Sequence, residues 1–434
     1  MAKIKPLRAW RYTADLQQEI DKLTSPLFDV VSEKQRENLY ANPLNSIHLS
    51  VPADTNPVAD SKQRVAQWKA DGIIKQDDLP TIYVYYQYFT LPGHTKEFCR
   101  KGFIANLEIA DWDEKVLLRH EDTMPHSVND RIEVLDATQM NIAPTHGLYT
   151  DATKEIESYM DQSMQFPLYE VEDYQGVRDV LSVIHDAKII NRIIEILSGK
   201  QIILADGHHR YESSLVYKRG KKASNANHTG DEGYNHHLMY FTNTESDDLR
   251  ILPTHRLITD MPDFDTNQVV SKLEEFFMVK PIENVYELNE VILGKQWAFG
   301  ILIGDLAYKI RLKEGMIDQM PDHLSASVRQ LDNTVMHYFV FDRVLGIPMS
   351  DQRDSRNLSF DRNFAECAGL AAAGTCQMAV ITQEISIETV KEVCYSGHTL
   401  PQKSTYFYPK VICGFLFGSI HPDEFDSPFD SAFK

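Results

Sequence analysis

The sequence has few cysteines, no long apolar run and a shortage of basic residues. Its cysteines form an odd set without a C-x-x-C pair: Cys99, Cys367, Cys376, Cys394 and Cys413. That pattern argues against a disulfide framework or a zinc cage and predicts reduced thiols. No stretch approaches the ~20 apolar residues of a membrane span, and MAKIKPLRAW contains no apolar segment of signal-peptide length. We therefore expect a cytoplasmic protein without a membrane partner.

The shortage of basic residues bears on the class of ligand. The 44 lysines and arginines against 63 acidic residues leave a formal net charge of -19. Such a field repels nucleic-acid phosphates, so we expect a small-molecule partner and no nucleic acid. The oligomeric state does not follow from the sequence.

Helical and strand patterns follow one another along the chain and predict a mixed α/β fold. At 434 residues, 43% of them hydrophobic, the chain is long enough for roughly two or three domains. We expect an N-terminal α/β domain at residues 1–260 and a smaller C-terminal α+β domain at residues 261–434. The boundary is predicted near residues 259–265, where the pattern is interrupted.

Individual elements can be predicted from local patterns. Residues 81–90 and 98–109 are rich in β-branched and aromatic side chains and predict two paired strands. Residues 46–51 predict a further strand, and residues 181–197 predict a helix. Gly304-Asp305 lies between two apolar runs and predicts a hairpin turn.

The segment IILADGHHRYESSLVYKR has the composition of a phosphate site. An apolar strand ends at Asp206, Gly207 permits a tight turn, and a helix begins at the next residues, where free amides favour an anion. Arg210 can bind phosphate oxygens in a bidentate manner, and His208 and His209 can donate hydrogen bonds or relay a proton. Asp206 can orient a histidine or hold Mg²⁺.

Two other interpretations of this segment stay open. In the first, Gly207 is an ordinary turn glycine, and the polar side chains around it form hydrogen bonds with one another instead of with a ligand. In the other, His208 and Glu212 lie one helical turn apart and bind a metal, although HHR lacks the spacing of known zinc sites.

The segment RHEDTMPHSVNDR carries a second cluster of polar side chains: His120, Glu121, Asp122 and Asp130. This composition suits a divalent cation or an amine, and we expect the segment to be a loop. A solvated acidic loop without a ligand explains the same residues.

The segment PQKSTYFYPK places Lys403, Ser404, Thr405 and Lys410 among aromatic residues. A sheet edge with exposed lysines is the simpler interpretation of this pattern.

Taken together, the motifs resemble the bacterial and archaeal domain-of-unknown-function family 1015. The matching segments are KIKPLRAWRY, PLFDVVS, HEDTM, DATQMNIAPTHGLY, ADGHHRYE, ILPTHRL and LPQKSTYFYPK. One departure is Phe28, where the family has tyrosine, so a hydroxyl at this position has no role here. The DGHHR segment also looks like the loop that members of the ParB and sulfiredoxin superfamily place at a nucleotide phosphate. That superfamily includes a free-serine kinase.

The resemblance implies a ParB/sulfiredoxin-like core and phosphoryl transfer to or from serine or a similar hydroxyl compound. The phosphate donor of this reaction would be a nucleotide or pyrophosphate, and Glu121 and Asp206 would bind Mg²⁺. A nucleotide-binding sensor without turnover is the alternative. In this hypothesis we assign phosphate binding to five residues, namely Gly207, His208, Arg210, Lys403 and Ser404. We assign catalytic roles to four, namely His120, Glu121, Asp206 and His209, the last as a proton relay or transient phosphate acceptor.

Overall fold

The computed structural model describes residues 1–27, 33–53, 56–121, 125–401 and 403–425. Phe28 and Asp122, which the sequence analysis singles out, lie outside these residues. The chain divides into two compact units. The first comprises Met1–Leu249 and Pro409–Lys434, and the second comprises Arg250–Tyr408.

The fold contains both strands and helices throughout, which confirms the predicted mixed α/β class. In chain order the strands are β1 (Ile4–Lys5), β2 (Trp10–Tyr12), β3 (Ile74–Gln76), β4 (Ile82–Phe89), β5 (Phe98–Glu108), β6 (Leu117–Arg119), β7 (Met140–Asn141), β8 (Thr145–Tyr149), β9 (Tyr169–Glu172), β10 (Arg178–Ile184), β11 (Ile202–Asp206), β12 (His236–Asn243), β13 (Arg250–Leu252), β14 (His255–Ile258), β15 (Phe277–Ile282), β16 (Ala298–Ile303), β17 (Leu306–Leu312), β18 (Leu358–Asp361), β19 (Met378–Ile381), β20 (Tyr406–Tyr408) and β21 (Gly418–Ser419). The α-helices are α1 (Ile20–Leu23), α2 (Glu33–Tyr40), α3 (Ile47–Ser50), α4 (Pro57–Ala70), α5 (Pro125–Thr138), α6 (Glu155–Ser163), α7 (Ala187–Ser198), α8 (His208–Ser224), α9 (Thr266–Phe276), α10 (Leu288–Ile292), α11 (Ala326–Arg329), α12 (Asp332–Val335), α13 (Phe364–Ala372), α14 (Ile387–Tyr395) and α15 (Pro422–Phe425). Among the described residues, no helix combines the length and the apolar character needed to cross a membrane.

The first unit is built around a nine-stranded mixed sheet. Its strand order is β6-β11-β8-β12-β5-β4-β10-β9, and β1 pairs with β5 beside this path. β11 runs parallel to β6, and β12 runs parallel to β8. Because Arg119 of β6 is in register with Leu204 of β11, the residues that follow these two strands lie at the same edge of the sheet.

Both faces of this sheet are covered. Helices α6, α7 and α8 pack on one face, while α1, α4 and residues 411–417 pack on the other. Helix α7 shows how sequence places these elements, because Ile190, Ile193 and Leu197 recur at helical spacing and are all completely buried. Asp186 caps its first turn by accepting hydrogen bonds from backbone amides.

The second unit contains a six-stranded antiparallel sheet with the order β15-β17-β16-β19-β14-β18. Strands β16 and β17 are joined by the predicted hairpin turn at Gly304-Asp305, which is confirmed. On one face, Phe277, Phe299 and Phe339 pack into an apolar core. On the other face, helices α10 and α13 cover the sheet.

Three local predictions are wrong. Residues 46–51 form helix α3 instead of a strand, because the Asn45 side chain accepts a hydrogen bond from the Ile47 amide at 2.9 Å and starts a helical turn. Residues 181–184 belong to strand β10, and the following helix begins only after Asp186. Asp130 lies within helix α5, where a loop was predicted.

The two units differ from the predicted domains at both ends of the second unit. Strands β13 and β14 pair with β20, β18 and β19, so the second unit already begins at Arg250. From Pro409 onward the chain belongs to the first unit, where β21 pairs with β7. The amide of Phe417 also donates to the carbonyl oxygen of Trp10. Pairing between the two termini of a chain cannot be deduced from local patterns.

Candidate functional site

The predicted strand, turn and helix around Asp206 are present. Strand β11 is buried except at its last residue, and Gly207 follows it with a φ of 89°. A Cβ atom at Gly207 would lie 2.5 Å from Cγ2 of Thr145 and 3.0 Å from Nη2 of Arg210. Glycine is therefore required here both for its backbone conformation and for space.

Helix α8 begins immediately after this turn, with Gly207 as its N-cap. Glycine has no side chain that could cap the first-turn amides of this helix. The helix is 17 residues long, so its dipole adds partial positive charge at the same end. The N-terminus of α8 therefore has the properties of an anion site.

Asp206 is held by two cations. The ammonium group of Lys410 donates to Oδ1, and Nη2 of Arg210 donates to Oδ2 at 3.2 Å. Nη1 of Arg210 donates in addition to the carbonyl oxygens of Ala143 at 3.2 Å and Pro144 at 2.9 Å. Arg210 thereby links the start of α8 to the segment that precedes β8.

These contacts set the ionisation of Asp206. Burial alone would raise the pKa of its carboxyl group, but the charges of Lys410 and Arg210 outweigh burial and lower the pKa well below its usual range. The carboxylate is thus ionised at neutral pH. One anion and two cations leave this group of three side chains with a formal charge of one positive unit.

His208 and His120 form a buried pair beside this group. Their ring centroids are 4.8 Å apart in an edge-to-face arrangement. Burial lowers the pKa of His120 to about 4 and lowers the pKa of His208 well below its usual value. Both imidazoles are therefore neutral at pH 7. Nε2 of His208, which is 7% exposed as a residue, has no hydrogen-bond partner among the described residues.

His209 and Glu121 lie close in sequence to this pair. His209 occupies the first turn of α8 and is half-buried, and its carbonyl oxygen accepts a hydrogen bond from Ser213. Glu121 follows β6, at the sheet edge where β11 ends. Their predicted catalytic roles stay predictions.

The predicted Mg²⁺ site is only partly compatible with the geometry. Both carboxylate oxygens of Asp206 already accept from a cationic side chain, so Asp206 as arranged does not fit a Mg²⁺ ligand. No cluster of three or more histidine, cysteine or acidic residues able to hold a metal occurs within the described ranges. The interpretation in which His208 and Glu212 share a metal gains no support, because the Glu212 carboxylate accepts from Nε1 of Trp112 at 2.6 Å.

Lys403 and Ser404 belong to the second unit. Lys403 has a φ of 57°, and its carbonyl oxygen accepts from Arg256 at 3.4 Å. Ser404 is buried, and its hydroxyl group donates to the carbonyl oxygen of Pro401 at 2.5 Å. A role of either residue in phosphate binding stays a prediction.

Sequence reasoning missed two side chains at this site. It assigns no role to Lys410, although that residue lies in the PQKSTYFYPK segment. His146 is in register with Asp206 on the neighbouring strand, and its Nε2 lies 2.7 Å from the Thr242 hydroxyl group. A signal was available, because Thr145 and His146 are polar residues at the start of a completely buried strand.

Three solved structures share distant similarity with the chain. A conserved hypothetical protein from Pyrococcus furiosus has 14% identity and a TM-score of 0.34, over 68% of this chain and 90% of its own. A free serine kinase in complex with AMP has 13% identity and a TM-score of 0.35, over 69% and 88%. SbnI from Staphylococcus aureus, truncated at its C-terminus, has 12% identity and a TM-score of 0.32, over 70% and 84%. TM-scores this low assign neither a shared fold nor a function.

A family model provides firmer information. No curated protein matches the chain. Residues 4–334 match the model of a protein family of unknown function, DUF1015, as the motifs predicted. This match covers most of the first unit and about half of the second. The chain therefore belongs to the DUF1015 family.

Proposed function

We propose that this protein is a phosphoryl-transfer enzyme acting on serine, phosphoserine or a similar small hydroxyl compound. A nucleotide or pyrophosphate is the proposed donor, and the region around β11 and α8 is proposed to be a ParB/sulfiredoxin-like core. The observation that carries the proposal is the start of α8. There the N-terminus of α8, the cationic side chains of Arg210 and Lys410 and the neutral buried imidazole of His208 lie around Asp206 and Gly207.

The cationic group supplies affinity for phosphate. Arg210 and Lys410 are both oriented by Asp206, so their positions are fixed before a ligand arrives. Fixed donors stabilise the charge of a transferring phosphoryl group better than mobile ones, because they need no reorganisation. The backbone amides at the start of α8 add further donors in the same place.

The neutral imidazole of His208 is proposed as the proton acceptor. Its low pKa makes it a weak base in the free protein. A bound phosphate dianion raises the pKa of a nearby histidine, because an opposite charge favours the protonated form. Substrate binding thus turns His208 into a stronger base at the moment when a hydroxyl proton has to leave.

In the proposed step, the serine oxygen forms a bond to the terminal phosphorus while the bond to the donor's leaving oxygen breaks. The hydroxyl proton passes to Nε2 of His208, and His120 positions this ring by edge-to-face contact. His209 is proposed as a proton relay or transient phosphate acceptor. Lys403 and Ser404 are proposed as further phosphate ligands, and Glu121 is proposed as the residue that holds Mg²⁺.

The test is turnover in both directions by the purified protein with Mg²⁺. Phosphate release from O-phospho-L-serine is measured first, followed by phosphoserine formation from serine with ATP, ADP or pyrophosphate. We expect turnover that His208→Gln lowers by about 100-fold, within the usual contribution of a general base. His94→Gln, an exposed histidine between β4 and β5, is the matched control. Equal rates for His208→Gln and the unaltered protein would remove His208 from the mechanism.

A nucleotide-binding sensor without turnover is the second candidate. The observation that favours it is the low pKa of both His120 and His208, since neutral and weakly basic groups suit binding better than catalysis. Calorimetry distinguishes the two functions. Saturable nucleotide binding, with no product formed from any of the donors, would select the sensor.

A further inference from the structure

The second unit carries a group of basic side chains on one face of its sheet, beside the edge strand β15. Alternate residues of a strand face the same side, so Lys309 and Arg311 of β17 share the face on which α10 and α13 pack. Lys280 of β15 is in register with Lys309 and faces the same side. Lys295 follows α10 and approaches Lys309. We call these four residues the basic patch.

Lys309 lies at the centre of the basic patch. Burial lowers its pKa, and Lys295 lowers it further through a hydrogen bond between the two side chains and through its charge. The charges of Lys280 and Arg311 act in the same sense. Two protonated ammonium groups cannot donate to each other, whereas an anion between them accepts from both. The arrangement of Lys295 and Lys309 therefore suits a bound anion.

No carboxylate compensates the charges of the basic patch. Within the part of the chain that the structure describes, none of its four members forms an ion pair with an aspartate or glutamate. The ammonium group of Lys295 donates to the carbonyl oxygen of Val291 at 2.8 Å, and Nε of Arg311 donates to that of Gln296 at 3.4 Å. Neutral carbonyl oxygens orient a cation without cancelling its charge. Four positive charges thus lie together in a chain whose formal net charge is -19.

Protection of the sheet edge explains only part of the basic patch. A lysine on an edge strand keeps other strands from pairing with it, and Lys280 on β15 fits that role. Lys309 lies on β17 instead, which is paired on both sides, and Lys295 lies outside the sheet. Like charges directly opposite each other destabilise a sheet, so the pair of Lys280 and Lys309 reduces stability unless an anion joins it.

The size of the basic patch favours a compact multivalent anion. Neighbouring strands lie about 4.8 Å apart, and alternate residues of one strand lie roughly 7 Å apart, so three of the four cations project from a small area of the sheet. A monovalent anion offsets only one of the four charges. An extended polyanion such as nucleic acid also meets the negative field of the rest of the chain.

We propose that the basic patch binds a chain of two or more phosphate groups, either free as an inorganic polyphosphate or as part of a nucleotide. One phosphate group lies between Lys295 and Lys309, and the next contacts Lys280 and Arg311. This site goes beyond the proposed function, because it lies entirely in the second unit and shares no residue with the start of α8.

The experiment follows the methyl group of Met278 by NMR in the full chain while inorganic triphosphate or ATP is added. Met278 is 48% exposed and is in register with Arg311, so its signal reports on the basic patch and not on the start of α8. Met278→Leu identifies the signal. We expect a saturable shift with both ligands and a far weaker response to acetate. Tighter binding of ATP than of triphosphate would identify a nucleotide, and equal binding would identify the phosphate chain alone.

Lys309→Gln should weaken the binding of triphosphate at least about tenfold, as loss of a charged hydrogen-bond donor does. Lys272→Gln is the matched control, because Lys272 is exposed on α9, which packs on the other face of the sheet. A Met278 signal that triphosphate does not shift, or equal affinities of Lys309→Gln and Lys272→Gln, would overturn the proposal and leave edge protection as the role of these lysines.

The ligand-free protein provides a second measurement that needs no binding. Lys309→Gln relieves the repulsion among the four cations, so it should raise the melting temperature at low salt and raise it less at high salt, where the charges are screened. Lys272→Gln should leave the melting temperature unchanged. A melting temperature of Lys309→Gln that does not exceed that of Lys272→Gln at low salt would contradict the uncompensated charge on which the site depends.

Discussion

Two aspartates on the nine-stranded sheet differ in their partners. Asp206, at the end of β11, contacts the cationic groups of Lys410 and Arg210. Asp179, in β10, is completely buried and accepts hydrogen bonds from the neutral groups of Tyr85 and Gln87. Oδ2 of Asp179 has no partner among the described residues.

The two pKa values move in opposite directions. Burial raises the pKa of Asp179 to about 7, although the hydrogen bonds from Tyr85 and Gln87 favour its ionised form. Burial acts on Asp206 in the same sense, but there the two cations reverse its effect. Neutral donors therefore do not keep a buried carboxylate ionised on this sheet, whereas direct contact with a cation does.

A single amide group separates Asp179 from a cation. The guanidinium group of Arg100 donates to Oε1 of Gln87, whose Nε2 donates to Asp179 at 2.8 Å and to the carbonyl oxygen of Lys410 at 2.9 Å. Lys410 thus contacts both regions, through its side chain at Asp206 and through its backbone at Gln87. Lys410 of the returning C-terminal segment thus lowers the pKa of Asp206 through its side chain, and its carbonyl oxygen accepts a hydrogen bond from Gln87 beside Asp179.

The largest expected effect comes from Lys410→Met. This change leaves a partly buried carboxylate with Arg210 as its remaining cationic partner. We expect the free energy of unfolding to fall by about 3 kcal/mol at neutral pH, because removing one of its two cations leaves the charge of a buried carboxylate only partly compensated. Urea denaturation measures the loss. Lys101→Met is the control, since Lys101 pairs with the half-exposed Asp161 and should lose less than about 1 kcal/mol.

The double variant Asp206→Asn with Lys410→Met sharpens this test. It removes the uncompensated charge along with the lysine, so part of the lost stability should return. An equal loss in Lys410→Met and Lys101→Met would mean that Asp206 is solvated as well as an exposed carboxylate, and the contrast with Asp179 would then disappear.

The effect of Asp179→Asn on the free energy of unfolding should change sign with pH. The folded-state pKa of Asp179 is raised to about 7, against about 3.9 for an unfolded chain, so its stabilising contribution is complete below pH 4 and is lost as pH rises through 7. Asparagine does not titrate. At about pH 8 the variant should be more stable by about 1–2 kcal/mol, since it avoids burying a charge but leaves an amide group without a partner.

At about pH 4 the same variant should be less stable than the unaltered protein by about 1 kcal/mol, because the protonated Asp179 carries no charge there and the unsatisfied amide remains. Urea denaturation at both pH values measures the change of sign. Asp161→Asn, at a half-exposed carboxylate, should show no such reversal. A parallel response of Asp179→Asn and the unaltered protein across this range would contradict a raised pKa at Asp179.

Sequence patterns predicted the region of Asp206 better than the region of Asp179. An apolar run, one glycine and a helical pattern are contiguous, so the β11–α8 connection and its positions Asp206, Gly207 and Arg210 follow from local rules. The polar partners of Asp179 are distant in sequence. Gln87 and Arg100 are polar residues within strand patterns, and such residues usually face solvent.

The role of Lys410 could not be predicted for a different reason. The segment that carries it leaves the second unit and returns to the first, and only pairings between distant residues show this return. Without that return, a lysine in an aromatic strand pattern is best explained as an exposed edge residue.

The smallest expected effect comes from Tyr85→Phe, which removes one neutral donor from Asp179. At about pH 8, where Asp179 is ionised, the variant should lose about 1 kcal/mol of stability, and at about pH 5 it should lose less, because a neutral carboxyl group gains less from the donor. Tyr86→Phe is the matched control on the same strand, where the hydroxyl group donates to the half-exposed Asp161 at 2.7 Å and water can replace it. Urea denaturation at both pH values compares the two variants. A loss for Tyr85→Phe that is the same at both values would mean that Asp179 does not change its ionisation between them, and the opposite behaviour of the two aspartates would have to be abandoned.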